Sequence, residues 1–283
     1  MSATTEETRM TARTISTAAQ DDSATNRIRR VVLPSLVLLA GLGLWLGVTY
    51  LALDERRRFL LPPPWAVAHT GLIDPDSRSA IFSALAQTAT VAMTGLAVAI
   101  VVGVTIAVLM SQARWVEESI YPYAVIVQTL PIVAIVPLVG LWLGFNFSSR
   151  VIVCVVMSLF PIITNTLFGL KSADPGLHDL ATLHRASRWT RLRTIAFPNA
   201  LPAMFTGIRI AGGLAVIGAI VSDFFFRQGY PGIGRLLDIY RANLNYEGLI
   251  AAIFASSSLG IVVFWFIGWL GHRVTGAWTG ARR

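Results

Sequence analysis

The 283-residue sequence is poor in charged residues, in lysine and in cysteine. Only 13% of its residues are charged, which is about half the usual share in soluble domains. Its one cysteine, Cys154, excludes an intrachain disulfide and a cysteine-based zinc or iron–sulfur site within one chain. The four histidines are too scattered to indicate a metal site. Its one lysine, Lys171, follows Leu170 rather than glycine, which excludes a Walker A phosphate-binding loop.

Apolar residues dominate instead. They make up 54% of the chain, and the mean hydropathy is +0.64. This composition indicates an all-α polytopic membrane protein rather than one or two soluble domains. Six apolar stretches are long enough to cross a hydrocarbon core of about 30 Å as helices. We therefore predict transmembrane spans at about residues 31–53, 81–110, 121–143, 151–170, 203–224 and 248–270.

The segments outside these spans set the orientation. Residues 1–26 are polar and predict a disordered tail, followed by a transmembrane domain over residues 27–283. The longest polar insertion between spans covers residues 171–202. More Arg and Lys lie on the side of this insertion and the termini, although the run Arg56–Arg58 lies opposite. The positive-inside rule therefore predicts that both termini and the insertion are cytoplasmic, which explains much of the basic charge without nucleic acid.

The insertion has the pattern of two short helices joined by a sharp turn. Asp174 followed by Pro175 is typical of a helix start, and Ser187 is a good cap for a second helix. We expect Pro198 to help end that second helix. Four apolar residues of the second helix share one face at helical spacing: Trp189, Leu192, Ile195 and Ala196. By physical reasoning alone, this stripe either lies on the lipid surface or docks to a partner protein.

The same insertion contains Asp179-Leu180-Ala181, then three residues, Arg185, nine further residues and Ile195-Ala196-Phe197-Pro198. This spacing resembles the loop motif of binding-protein-dependent ABC transporter permeases, which reads E-A-A, three residues, G, nine residues, I-x-L-P. Flanking segments, among them Phe160-Pro161 and Gly207-Ile208-Arg209, are similar to the branch that imports nitrate, sulfonates, taurine and pyrimidine precursors.

The resemblance implies a type I ABC importer permease (MetI-like) core in a bacterial inner membrane, with six spans and a cytoplasmic two-helix coupling loop. It implies cytoplasmic ATPase subunits that hold ATP and Mg²⁺, an external solute-binding protein and a second permease copy, usually identical. It implies no catalysis and no cofactor in this chain. The residues that it assigns to ATPase coupling are Asp179, Leu180, Ala181, Arg185, Ala186, Ser187, Trp189, Leu192, Ile195 and Pro198.

Arg185 is the largest departure from the family pattern, which has glycine at this position. Glycine adopts a left-handed turn without penalty, whereas arginine is strained there. Either this turn has another geometry, or Arg185 makes a new contact with the partner ATPase.

Other features leave alternatives open. Asn165 and Asp223 are candidates for the substrate pathway, but a helix–helix hydrogen bond and a membrane-edge anchor, respectively, are their simpler uses. The segment 225–246, with its arginines on the outer side, docks the binding protein, steers an anion or forms a solvated interfacial helix. Four prolines predict ordinary helix kinks at most of their positions: Pro122, Pro131, Pro137 and Pro161. A stand-alone secondary transporter is the competing function, but it usually needs ionisable groups at mid-membrane, and these spans nearly lack them.

Overall fold

The computed structural model describes residues 31–226 and 231–279, and this part of the chain is almost wholly helical and contains no β-strand. The chain divides into two compact units, Met1–Ala66 and Val67–Arg283. The predicted tail at residues 1–26 lies outside the described residues, as do Arg227, Arg282 and Arg283.

The first unit contains helix α1, Val31–Ala52, and a short 3₁₀ helix, Glu55–Leu60. An 18-residue apolar window of α1 has no buried residue, as expected of a helix that faces lipid. The proline-rich segment that follows is held against the end of α1 by two side chains. The hydroxyl of Thr49 donates to the carbonyl oxygen of Leu61 over 3.1 Å. The indole N–H of Trp45 donates to the carbonyl oxygen of Pro62 over 3.1 Å.

The second unit is a helical bundle. The short helix Pro64–Ala68 includes its first residues, and a second short helix, His69–Ile73, follows. Its longer helices are α2 (Pro75–Gln112), α3 (Arg114–Thr129), α4 (Ile132–Leu143), α5 (Phe147–Lys171), α6 (Pro175–Leu183), α7 (Arg188–Phe225), α8 (Ile233–Ala242) and α9 (Tyr246–Thr279).

Among the described residues, five helices are long and apolar enough to cross a membrane: α1, α2, α5, α7 and α9. The bent pair formed by α3 and α4 makes a sixth if it is counted as one span. The prediction of an all-α polytopic membrane protein is therefore confirmed. The helices extend beyond the predicted spans, because hydropathy marks only the stretch inside hydrocarbon while helix continues into the polar flanks.

The third predicted span, at residues 121–143, is broken. Helices α3 and α4 meet at an angle of 100°, so Pro131 does more than kink a continuous helix. Leu130 has an extended backbone with ψ of 131°, as expected for the residue before a proline. The prolines at positions 122, 137 and 161, by contrast, lie inside helices.

The core of the bundle lies where α2, α5, α7 and α9 pack together, and small residues allow their close approach. A Cβ atom added to Gly95 of α2 would lie 2.3 Å from Cβ of Cys154 on α5. Cys154 is fully buried there, which fits its interpretation as a small core residue. A Cβ atom at Gly207 of α7 would lie 2.5 Å from the carbonyl oxygen of Pro161 on α5. These contacts hold the helices that carry the loop between α5 and α7.

Candidate functional site

Helix α6 begins and ends within the predicted loop through defined hydrogen bonds. The Asp174 carboxylate accepts from the backbone N–H of Gly176 over 2.8 Å, and Pro175 occupies the first turn. At the other end, the N–H of Ala186 donates to the Ala181 carbonyl over 2.9 Å, and that of Arg185 donates to Thr182 over 3.0 Å. These two bonds form a Schellman motif, which closes the helix and reverses the chain.

Arg185 occupies the position of this motif that normally requires glycine. Its φ is +50°, which lies in the left-handed region. Of the two alternatives that the sequence left open, a different turn geometry is therefore wrong, because the turn keeps the conformation that glycine would adopt. The arginine side chain is exposed at the tip of the turn. Backbone strain held at an exposed position suggests that the side chain has a use there.

The second helix of the loop starts where the sequence predicted. The hydroxyl of Ser187 accepts from the N–H of Thr190 over 3.1 Å. The expectation that Pro198 helps to end this helix is wrong, because α7 continues through it to Phe225. A π-helical turn at Leu192–Ala196 precedes the proline, which then lies in the first turn of the regular α-helix, where its missing N–H is tolerated. The loop is thus a hairpin whose second arm is the start of a span.

The apolar stripe predicted on the second helix is divided between two environments. Trp189 is 69% exposed, whereas Leu192 is only 9% exposed and packs with Ala196 against the core. Ile195 is half-buried. Leu192 is therefore part of the fold, and the outward apolar surface of this arm is Trp189.

The structure shows three exposed leucines on α6, of which the family resemblance had assigned only Leu180 to ATPase coupling. Leu177, Leu180 and Leu183 are spaced three residues apart on this helix, and Leu183 is 80% exposed. Their three-residue spacing is visible in the sequence, but spacing alone does not show whether these leucines face the core or solvent. Trp189 on the second arm is exposed as well, and we call these four apolar residues of the hairpin the hairpin surface. Asp179 lies exposed on the same helix, while Ala181 is buried.

The base of the hairpin is anchored to the ends of the long helices. Lys171, at the end of α5, pairs with Glu117 of α3. Asn199 of α7 donates to the hydroxyl of Ser172 over 3.0 Å. A Cβ atom at Gly169 would lie 2.8 Å from the backbone of Ala200, so α5 and α7 nearly touch here. The hairpin therefore projects from a fixed base.

The two candidates for the substrate pathway lie elsewhere. Asn165 is half-buried on α5 and donates to the carbonyl of Pro161 within its own helix over 2.8 Å, beside Gly207. Asp223 is 1% exposed near the end of α7. Its carboxylate pairs with Arg150 of α5 over 3.1 Å and accepts from the hydroxyl of Thr88 on α2 over 2.7 Å. No local sequence pattern indicates this pairing, because the two partners lie 73 and 135 residues from Asp223 in the chain.

Comparison with known proteins identifies the family. Residues 99–276 match the family described as the binding-protein-dependent transport system inner membrane component. The chain belongs to this family. It is therefore an inner-membrane permease subunit of an ABC importer, which works with ATPase and solute-binding partners. This result supports the permease function over a stand-alone secondary transporter.

Proteins similar to this permease are named for several different substrates. It is 35% identical over 206 residues to a formylaminopyrimidine transport permease of Halalkalibacterium halodurans, covering 73% of this chain and 81% of the relative. It is 27% identical over 198 residues to a nitrate import permease of Synechocystis, covering 70% of each. A crystal structure of an amino acid ABC transporter with histidines shares the fold, with a TM-score of 0.58 and 17% identity over 70% of this chain and 95% of that one.

Proposed function

We propose that this permease, with a second identical copy, forms the pathway through which a small solute enters the cell, and that the hairpin surface docks the partner ATPase. The exposed apolar residues on a capped and anchored hairpin carry this proposal. Such a surface on a short loop that cannot form its own core is typical of a protein contact site. Asp179 and Arg185 would set the orientation of the contact through charge.

The named relatives support a substrate class. Proteins named for formylaminopyrimidine, aliphatic sulfonates and nitrate are among those similar to this chain. We infer a small polar solute of this kind, delivered by the solute-binding protein on the outside. ATP and Mg²⁺ would be bound by the partner ATPase, since Leu170-Lys171 is not a Walker A sequence. Both termini and the hairpin would then be cytoplasmic.

The continuity of α7 suggests how movement reaches the membrane. This helix runs for 38 residues from Arg188 to Phe225, which corresponds to about 57 Å at 1.5 Å per residue. A displacement of Trp189 by the ATPase would therefore tilt a single helix that ends beside Asp223. In the proposed cycle, ATP draws the ATPases together and the hairpins move with them, so that the pathway opens outward until hydrolysis returns it.

Affinity purification of the tagged chain from membranes in mild detergent tests the docking site. We expect an ATPase to be recovered with the wild-type chain and lost when Leu183 and Trp189 are both replaced by glutamate. Leu192 is unsuitable for this test, because a charge there would disrupt the core. Arg193→Glu is a matched control, since it also places a negative charge on an exposed side chain at the start of α7.

Two results would contradict the proposal. Undiminished recovery of the ATPase with the Leu183→Glu/Trp189→Glu chain would exclude the hairpin surface as the docking site. A chain that purifies alone and catalyses uptake into proteoliposomes without ATP would show that ATPase coupling is not its function.

A further inference from the structure

Helix α8 starts without a cap from its own sequence. Its N-cap residue is Gly232, which has no side chain to accept a hydrogen bond from the first turn. Yet the N–H of Ile233 donates to the hydroxyl oxygen of Thr88 over 2.8 Å, and the N–H of Gly234 donates to the carboxylate of Asp223. Two N–H groups at the start of α8 are therefore satisfied by side chains of α2 and α7.

These two acceptors belong to one buried group. The Thr88 hydroxyl donates its proton to one Asp223 oxygen while accepting from Ile233, so both of its hydrogen-bonding functions are used. The other Asp223 oxygen accepts from Arg150, whose guanidinium also donates to the carbonyl of Phe226 over 3.1 Å. Asp223 is 1% exposed and Arg150 is 5% exposed. A buried carboxylate at a helix N-terminus is also favoured by the helix dipole.

The close fit of two glycines shows how tightly α8 approaches this group. A Cβ atom at Gly232 would lie 1.8 Å from a carboxylate oxygen of Asp223. A Cβ atom at Gly234 would lie 2.2 Å from the carbonyl oxygen of Ile220. Any larger residue at either position would have to push α8 away from α7.

We propose that Thr88, Asp223 and Arg150 form a remote N-terminal cap that positions α8, so that a change in the spacing of α2, α5 and α7 is transmitted to α8. The apolar face of α8 packs inward through Ile233 and Leu237. Asp238 and Arg241 form an ion pair on α8 that is more exposed than this apolar face. In the orientation of the proposed function, on which this last step rests, α8 lies on the outer side, where the binding protein approaches. The three residues of the cap are then positioning residues for that contact.

Cysteine labelling measures the position of α8 directly. Cys154→Ala removes the natural thiol, and Leu237→Cys then places one thiol on the buried face of α8. The test variant is Thr88→Val, which keeps the shape of the side chain and the Arg150–Asp223 pair but removes the hydroxyl. We expect it to raise the maleimide labelling rate of the Leu237→Cys thiol on the order of tenfold, as for loss of one buried hydrogen bond.

Two controls separate a local cap from general destabilisation. Val263→Cys reports on α9 at an equally buried position and should label at an unchanged rate. Thr88→Ser, which restores the hydroxyl, should return the labelling of α8 to the wild-type rate. An unchanged rate at α8 in Thr88→Val, or an equal rise at both reporters, would overturn the remote cap.

A second measurement tests the transport step. In a reconstituted complex with the co-purified ATPase and binding protein, we expect Thr88→Val to raise the binding-protein concentration that half-saturates ATPase stimulation, and Thr88→Ser to restore it. An unchanged half-saturating concentration in a Thr88→Val chain whose labelling has risen would overturn the positioning role. Failure to recover any ATPase would count against the proposed function, while the labelling result still decides the cap.

Discussion

Arg185 provides the sharpest prediction, because its strain and its charge can be removed separately. An L-residue in the left-handed region costs about 1–2 kcal/mol relative to its preferred backbone. Glycine avoids this cost but loses about 0.5–1 kcal/mol more conformational entropy on folding. We therefore expect Arg185→Gly to stabilise the end of α6 by about 0.5–1 kcal/mol. Arg185→Ala keeps the strained backbone at φ of +50° and should leave this stability unchanged.

Hydrogen exchange of the Ala186 amide measures this stability locally, because its N–H donates to Ala181 in the Schellman motif. The predicted gain corresponds to about two- to fivefold slower exchange in Arg185→Gly. Equal slowing in Arg185→Ala would refute the reasoning, because it would show that the side chain and not the backbone causes the strain. If the guanidinium contacts the ATPase, both variants should also lower ATPase recovery to the same extent.

Three further predictions concern packing, charge and pH. Gly207→Ala should lower the free energy of unfolding by about 1–3 kcal/mol, because the added methyl group would clash with α5. Gly213→Ala has open space around it and should raise the free energy of unfolding by up to about 1 kcal/mol. Thermal melting in mild detergent compares the two variants. Arg150→Met should lower the free energy of unfolding by about 3–5 kcal/mol in the same assay, because it removes the buried cation that pairs with the Asp223 carboxylate. Hydrogen bonds from Ser77 lower the pKa of Asp74 below its ordinary 3.8. Asp74 is the N-cap residue of α2, and its carboxylate accepts from the N–H of Ser77 over 3.1 Å. The ionised carboxylate therefore stabilises the start of α2 fully above pH 3.8, and protection of the Ser77 amide should decline as pH falls through the lowered pKa.

Much of the fold could be predicted because its determinants are local in the sequence. Apolar runs mark the long helices, and the caps at Asp174 and Ser187 act within three residues of themselves. The geometry of the turn at Arg185 was left open by the sequence, because the spacing of the loop motif favours a left-handed turn while arginine argues against it. The break at Pro131 was less predictable, because prolines at positions 122, 137 and 161 are accommodated inside helices.

The parts that the sequence could not predict depend on tertiary contacts. Whether Leu192 faces the core or a partner depends on where α2 and α5 lie, and periodicity alone does not specify this. The pairing of Asp223 with Arg150 and Thr88 joins three helices that are distant in sequence. The cap of α8 likewise comes from residues outside its own segment, so no local pattern at Gly232 could indicate it.

Photo-crosslinking identifies the molecule that the hairpin surface contacts in the membrane. A photoreactive reagent attached at Leu183→Cys, in the Cys154→Ala background, would be activated in native membranes. We expect an adduct with an ATPase subunit, and no such adduct from a matched reagent at Leu244→Cys, a position that is exposed just after the end of α8. Adducts from Leu183→Cys with lipid alone would contradict the account, because they would show that the hairpin lies on the membrane surface.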